Sequence, residues 1–255
     1  MSFRNCPAVG SCVIQIFGSG FGLVDFSLGF RAGRTACAAT PWKSESSVKC
    51  RVPMGTGRNT GVAATVSGLS GSLTKAWSFD APVIFSDTLH LWTRGEVGKQ
   101  SKSVTLNSTT GNNSVAFSGK NFGTFPTDWV VTYGHPPEFD AYICMVNTAV
   151  SNDSFVVCRV SGGIGMKHRF RVVIDEQIAS GVDLLNYPSP SMGKNSLRFN
   201  GSSQPFSDSL TGRSTERGST VIEISGENFG PIFYDVEVAY GPLPSASQYR
   251  CNVIS

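Results

Sequence analysis

Val13-Ile-Gln-Ile-Phe-Gly-Ser-Gly-Phe-Gly22 alternates apolar and other side chains, then breaks into a glycine-rich turn. Two further stretches repeat it: Ser114-Val-Ala-Phe-Ser-Gly-Lys-Asn-Phe-Gly123 and Val221-Ile-Glu-Ile-Ser-Gly-Glu-Asn-Phe-Gly230. A period of two marks a strand with one buried face. The shared ending, Gly-x-(Gly/Asn)-Phe-Gly, reads as a tight turn. Its middle position holds Gly20, Asn121 or Asn228. These residue types enter the left-handed region at least cost, so a positive φ is predicted there. Phe21, Phe122 and Phe229 then plug the end of a core, and Gly22, Gly123 and Gly230 let the turn pack closely.

A second marker keeps the same period. Cys37 to Cys144 and Cys144 to Cys251 are each 107 residues, and Cys50 to Cys158 is 108. The turn glycines Gly22, Gly123 and Gly230 are 101 and then 107 residues apart, and two independent markers keeping nearly the same period define an internal repeat. Working outward, a strand follows each turn: Val24–Gly29, Val130–Gly134 and Val236–Gly241. A hairpin flanked by cysteines comes next, with its second cysteine inside Val48-Lys-Cys-Arg-Val52 or Val156-Val-Cys-Arg-Val160. Glycine-rich turns, Gly55-Thr-Gly57 and Gly162-Gly-Ile-Gly165, lead to another alternating strand. Each copy then closes near an aromatic-x-x-Pro element, Phe79-Asp-Ala-Pro82 or Tyr187-Pro-Ser-Pro190. Ser103–Asn107 and Ser196–Asn200 also alternate and are expected as extra strands leading into their copies.

The 255-residue composition agrees: 40% hydrophobic, 15% charged, 28 Gly and 13 Pro suit many short strands joined by turns. The formal net charge of +3 is too small to point to nucleic acid. No apolar run reaches the roughly 18 residues of a membrane span, and no secretory leader stands at the start.

The order strand, Gly-x-Asn-Phe-Gly turn, Val-x-Val-x-Tyr-Gly strand, Cys-hairpin-Cys, Gly-rich turn, strand and aromatic-x-x-Pro resembles the IPT/TIG family of immunoglobulin-like domains. The likeness spans most of 13–82 and 114–190 and the first half of a unit in 221–255. It implies an all-β chain of tandem immunoglobulin-like (IPT/TIG) β-sandwiches with no catalytic site. The expected division is a sandwich over 1–85, an inter-repeat segment over 86–106 and a second sandwich over 107–190. A segment over 191–219 with a mobile loop and the first half of a third sandwich over 220–255 follow, in an incomplete chain.

Pairing within copies joins Cys37 to Cys50 and Cys144 to Cys158, and gives Cys251 a partner past Ser255. Cys6 and Cys12 pair with each other or with a preceding unit. Sequons stand at Asn107, Asn112, Asn152 and Asn200. Disulfides and N-glycosylation together imply an extracellular or cell-surface setting. Three histidines, His90, His135 and His168, lie in no catalytic or metal-ligand pattern, so neither an enzyme nor a cofactor is expected. Gly18-x-Gly20-x-Gly22 lacks the spacing and the following helix of a dinucleotide loop. Trp42, Trp77 and Trp129 read as packing aromatics, while Trp92, outside the repeat strands, is a candidate contact residue.

The functional expectation is a structural or adhesive segment of a large surface repeat protein. Disulfide-clipped sandwiches would form a rod or filament that binds neighbouring proteins or its own copies, with glycans as further partners. The alternative is the ligand-binding ectodomain of a receptor. Neither nucleic acid nor direct membrane insertion is expected.

Overall fold

The computed structural model describes residues 5–24, 28–93, 96–199, 221–231, 236–242, 244 and 249–254. The described residues form strands, with one 3-10 turn among them at Pro126–Asp128. Its contacts divide into two compact units. One is drawn from 1–104, 113–160 and 167–185, the other from 105–112, 161–166 and 186–255.

Within the first unit, the first copy forms two sheets. Val13–Phe17 pairs with Ser47–Arg51, which pairs with Trp42–Ser44. The facing sheet runs Thr35–Ala36, Gly29–Ala32, Thr60–Val66, Leu69–Trp77. Alternation drives this layout. Val48 and Cys50 point inward and are buried, while Arg51 is exposed. Between the sheets Phe21, Leu28, Phe30 and Val48 form one apolar cluster, and Cys6, Ala32, Cys50, Val52 and Phe79 form another.

The second copy repeats the plan. Ser114–Lys120 pairs with Phe155–Val160, Tyr142–Val146 lies beside that strand, and Val130–Gly134, Arg169–Ile174 and Gln177–Ser180 follow. The strand Tyr142–Val146 joins both sheets, pairing with Val130–Gly134 through Tyr142 and Ile143 and with Phe155–Val160 through Cys144 to Val146. Its core centres on Phe117, Phe122, Tyr133 and Phe170, with Phe117 and Phe170 at 5.2 Å between ring centroids.

The segment 86–106 is not a spacer. His90–Thr93 hydrogen-bonds along Ser114–Lys120, placing Leu91 opposite Val115 and His90 opposite Ala116. Asp183, buried, fixes the approach: its carboxylate accepts the backbone N–H groups of Asp87, Thr88 and Leu89 at 2.8, 3.0 and 3.2 Å. The two similar alternating segments diverge in role. Ser103–Thr105 pairs with Leu184–Asn186, whereas Arg198–Phe199 pairs with Ile222–Glu223. The true counterpart of Arg198–Phe199 is thus His90–Leu91. Alternation announces a strand but leaves its partner unspecified.

In the first copy the strand after the turn begins at Gly29 rather than Val24, and residues 25–27 lie outside the described residues. Asn200 and 201–219, with the loop expected there, also lie outside them.

Candidate functional site

The repeated turn has the geometry its residues require. Gly20, Asn121 and Asn228 have φ of 78°, 61° and 63°. The glycine three residues before the phenylalanine gives the ring room. A Cβ on Gly18 would lie 2.7 Å from the Phe21 ring, one on Gly226 would lie 2.6 Å from that of Phe229, and one on Gly119 would overlap that of Phe122. Phe122 is fully buried, Phe21 nearly so, and Phe229 half-buried.

This turn is also where consecutive copies interlock. Within the first unit, Asn121 Nδ2 donates to the Ala81 carbonyl at 3.2 Å, just before Pro82. Val83 and Ile84 then pair antiparallel with Lys120 and Gly119, and Phe85 N–H donates to the Ser118 carbonyl at 2.9 Å. Gly123, at φ 86°, brings its backbone against Thr56 of the Gly55-Thr-Gly57 loop.

Within the second unit the same contacts recur between the second and third copies. Asn228 Nδ2 donates to the Ser189 carbonyl at 3.4 Å. Ser191 and Met192 pair with Glu227 and Gly226, and Gly193 N–H donates to the Ser225 carbonyl at 2.9 Å. Gly230, at φ 94°, meets Ile164, the residue equivalent to Thr56. The glycine-rich loop is held alike in both copies: Phe79 N–H donates to the Gly57 carbonyl and Tyr187 N–H to the Gly165 carbonyl, each at 2.9 Å. The junction is therefore a property of the repeat.

A further clamp is seen at the first junction. Gln177 Oε1 accepts from Gly57 N–H at 3.2 Å while its Nε2 donates to the Phe79 carbonyl at 3.0 Å. Thr56 Oγ1 donates to the Asp175 carboxylate. Asp175 lies in the two-residue hairpin turn that precedes Gln177, where Asp175 and Glu176 have φ of 44° and 64°. Asn-Gly would adopt that conformation at lower cost. The strain is local to the clamp, as at sites where the surroundings over-determine the backbone.

The structure pairs Cys37 with Cys50 and Cys144 with Cys158 at Cα separations of 5.5 and 5.4 Å, and Cys6 with Cys12 at 5.8 Å. Cys251 is unpaired among the described residues. Cys6–Cys12 closes a loop whose counterpart in the second copy runs from Asn107 to Asn113. The loops share a backbone contact, Gly55 N–H to the Ala8 carbonyl and Gly163 N–H to that of Thr109, each at 2.9 Å. The sequon residues Asn107, Asn112 and Asn152 are exposed. Asn152 Oδ1 accepts from Ser154 N–H at 3.0 Å and Ser154 Oγ at 3.1 Å, forming a tight polar hairpin tip.

Trp92 is half-buried and packs edge-on against Phe155 at 5.5 Å, within the second copy's added strand rather than as a free aromatic face. His90 is fully buried and stacks on Phe155 at 6.0 Å. His168 is buried near Tyr133 and Tyr142, and His135 is exposed, its ring nitrogen near the Pro136 carbonyl. Among the described residues no three His, Cys, Asp or Glu side chains gather as a metal site would require, and no helix is long and apolar enough to cross a membrane.

A cavity of about 820 Å³ lies within the second unit between Met192, Ile222, Ile224, Phe229, Val238 and Cys251. The six equivalent positions in the second copy are held by Ile84, Val115, Phe117, Phe122, Val131 and Cys144, all buried except the half-buried Ile84. The lining is thus mainly the inner face of a sandwich, with Asn195, Ser196 and Glu237 also bordering it.

Residue-level reading did not anticipate Asp183, Gln177 or Asp175. Each acts on chain more than 90 residues away, and no local pattern marks such a partner.

The family described as IPT/TIG domain matches residues 2–79. No curated protein matches the chain by sequence. Solved structures similar to it include the full extracellular region of plexin A4, at 15% identity and TM-score 0.29, over 72% of this chain and 17% of that one. SGBP-B from a complex xyloglucan utilization locus in Bacteroides uniformis has 12% identity and TM-score 0.28, over 68% and 45%. SGBP-B from the mixed-linkage glucan utilization locus of Bacteroides ovatus, in complex with a mixed-linkage heptasaccharide, has 9% identity and TM-score 0.24, over 72% and 44%. The chain spans less than half the length of each.

Proposed function

With residues 2–79 forming an IPT/TIG domain, we propose that the chain is part of an extracellular or cell-surface protein that acts by binding and not by catalysis. Its immunoglobulin-like sandwiches are clipped by disulfides and joined by a repeated junction. They hold strand edges and sheet faces in place for neighbouring proteins or further copies, in an adhesive assembly such as a rod or filament. The observation that carries this reading is the recurrence of the junction. The same asparagine, the same two-residue pairing and the same loop contact are built twice. Such repetition serves a scaffold whose units must keep a fixed relation to their neighbours.

Secretion of the chain from cultured cells tests the proposal. Peptide mapping without reduction is expected to recover Cys37–Cys50 and Cys144–Cys158 linked, with glycan on one or more of Asn107, Asn112 and Asn152. Beads coated with the chain are expected to adhere to one another or to cell surfaces, and to lose adhesion after reduction. Free thiols at those four cysteines, with beads that stay dispersed, would refute it.

A further inference from the structure

The leading strand of each copy has two edges. In the second copy one edge of Ser114–Lys120 pairs with Phe155–Val160, and the other is filled by a single stretch of chain. Val83–Ile84 lies on its Gly119 end and His90–Thr93 on its Val115 end. In the third copy Ser191–Met192 and Arg198–Phe199 fill the same edge in the same register, Met192 on Gly226 and Phe199 on Ile222. Five residues separate the two short strands in both cases. The occupant has one pattern: an aromatic-x-x-Pro element, a two-residue strand, a five-residue spacer and a second strand.

Among the described residues, the first copy's leading strand, Val13–Phe17, pairs only with Ser47–Arg51. Nothing among the described residues lies along its other edge. Ile14 and Ile16 are half-buried there, whereas their counterparts Val115 and Phe117 are 0% and 1% exposed. Val13 and Phe17 stand 57% and 69% exposed. The edge Val-Ile-Gln-Ile-Phe carries no charge, proline or bulge, the devices that keep open edges from pairing. Another edge strand of the copy, Leu69–Trp77, does carry one: Lys75 has φ of 52°, and the pairing register shifts between Thr60 and Val62.

We propose that Val13–Phe17, continuing through Gly18 and Ser19, is a strand-accepting site. Its ligand is the trailing segment of another sandwich of this kind, laid antiparallel along the edge away from 47–51 as 79–93 lies along 114–120. Backbone hydrogen bonds supply the pairing, and apolar residues of the incoming strand cover Ile14 and Ile16. This deepens the binding role proposed above by naming a surface and a partner class.

The test uses a labelled peptide of this chain's own sequence Phe79–Thr93, added to the whole chain. Saturable binding with slowed amide exchange at 13–17 is expected. Phe17→Lys, at an exposed position, is expected to weaken binding about tenfold or more without lowering the melting temperature. A peptide carrying Leu91→Pro is expected not to bind. No saturation up to about 1 mM would overturn the proposal. So would exchange slowed only at 114–120, affinity indifferent to Phe17→Lys, or self-association through 13–17 that excludes the peptide. The disulfide map and the bead assay do not involve the peptide, so this site can fail while the adhesive reading stands.

Discussion

The first and second copies share a turn, a disulfide-closed hairpin and a core plan, yet they differ at the leading strand. In the second copy Ala116 and Val157 are buried beside an added strand that Asp183 secures. In the first copy the same two positions are Gln15 and Lys49, which are exposed and half-exposed. The comparison teaches that the repeat fixes the interior, while the segment between the first and second copies covers an edge of the second.

The largest effect should come from the shared interior. Phe122→Ala is expected to destabilise the second copy by about 4 kcal/mol through cavity formation, and Phe21→Ala the first copy by a similar or slightly smaller amount. Denaturant titrations of the single variants measure both. If Phe122→Ala were tolerated, the turn phenylalanine would not be a core plug.

Asp183→Leu should break the comparison on one side only. It leaves the buried Leu89 N–H unpaired and releases the approach of 87–89, a loss of about 2 kcal/mol. Hydrogen exchange should accelerate across 87–93 and remain unchanged at 13–17. Equal acceleration in both copies would mean that Asp183 supports the sandwich as a whole.

Gln177→Ala should sharpen the picture of the junction. It removes the acceptor for Gly57 N–H and the donor for the Phe79 carbonyl, at about 1 kcal/mol. The expected signature is earlier unfolding of the first copy relative to the second in a thermal scan, with the Asn121 contact keeping part of the coupling.

Much of this was legible in the residues. The left-handed turn position was readable because only Gly and Asn occupy it cheaply, and the strands were readable from alternation around Cys50 and Cys158. What stayed hidden is long-range. A lone Gln177 or Asp183 carries no mark of the distant backbone groups it will hold. Ser103–Asn107 and Ser196–Asn200 look alike as strings, but edges already taken in the fold send them to different partners. Trp92 stood out by lying outside the repeat, and its place against Phe155 follows from the pairing of His90–Thr93, which alternation alone does not specify.

Residue-resolved hydrogen exchange on the intact chain tests the contrast between the leading strands most directly. The account predicts that amides of 114–120 exchange only with opening of the second sandwich, while those of 13–17 on the edge away from 47–51 exchange orders of magnitude faster. Equal, slow exchange in both strands of the chain alone would contradict it, because the first edge would then already be covered.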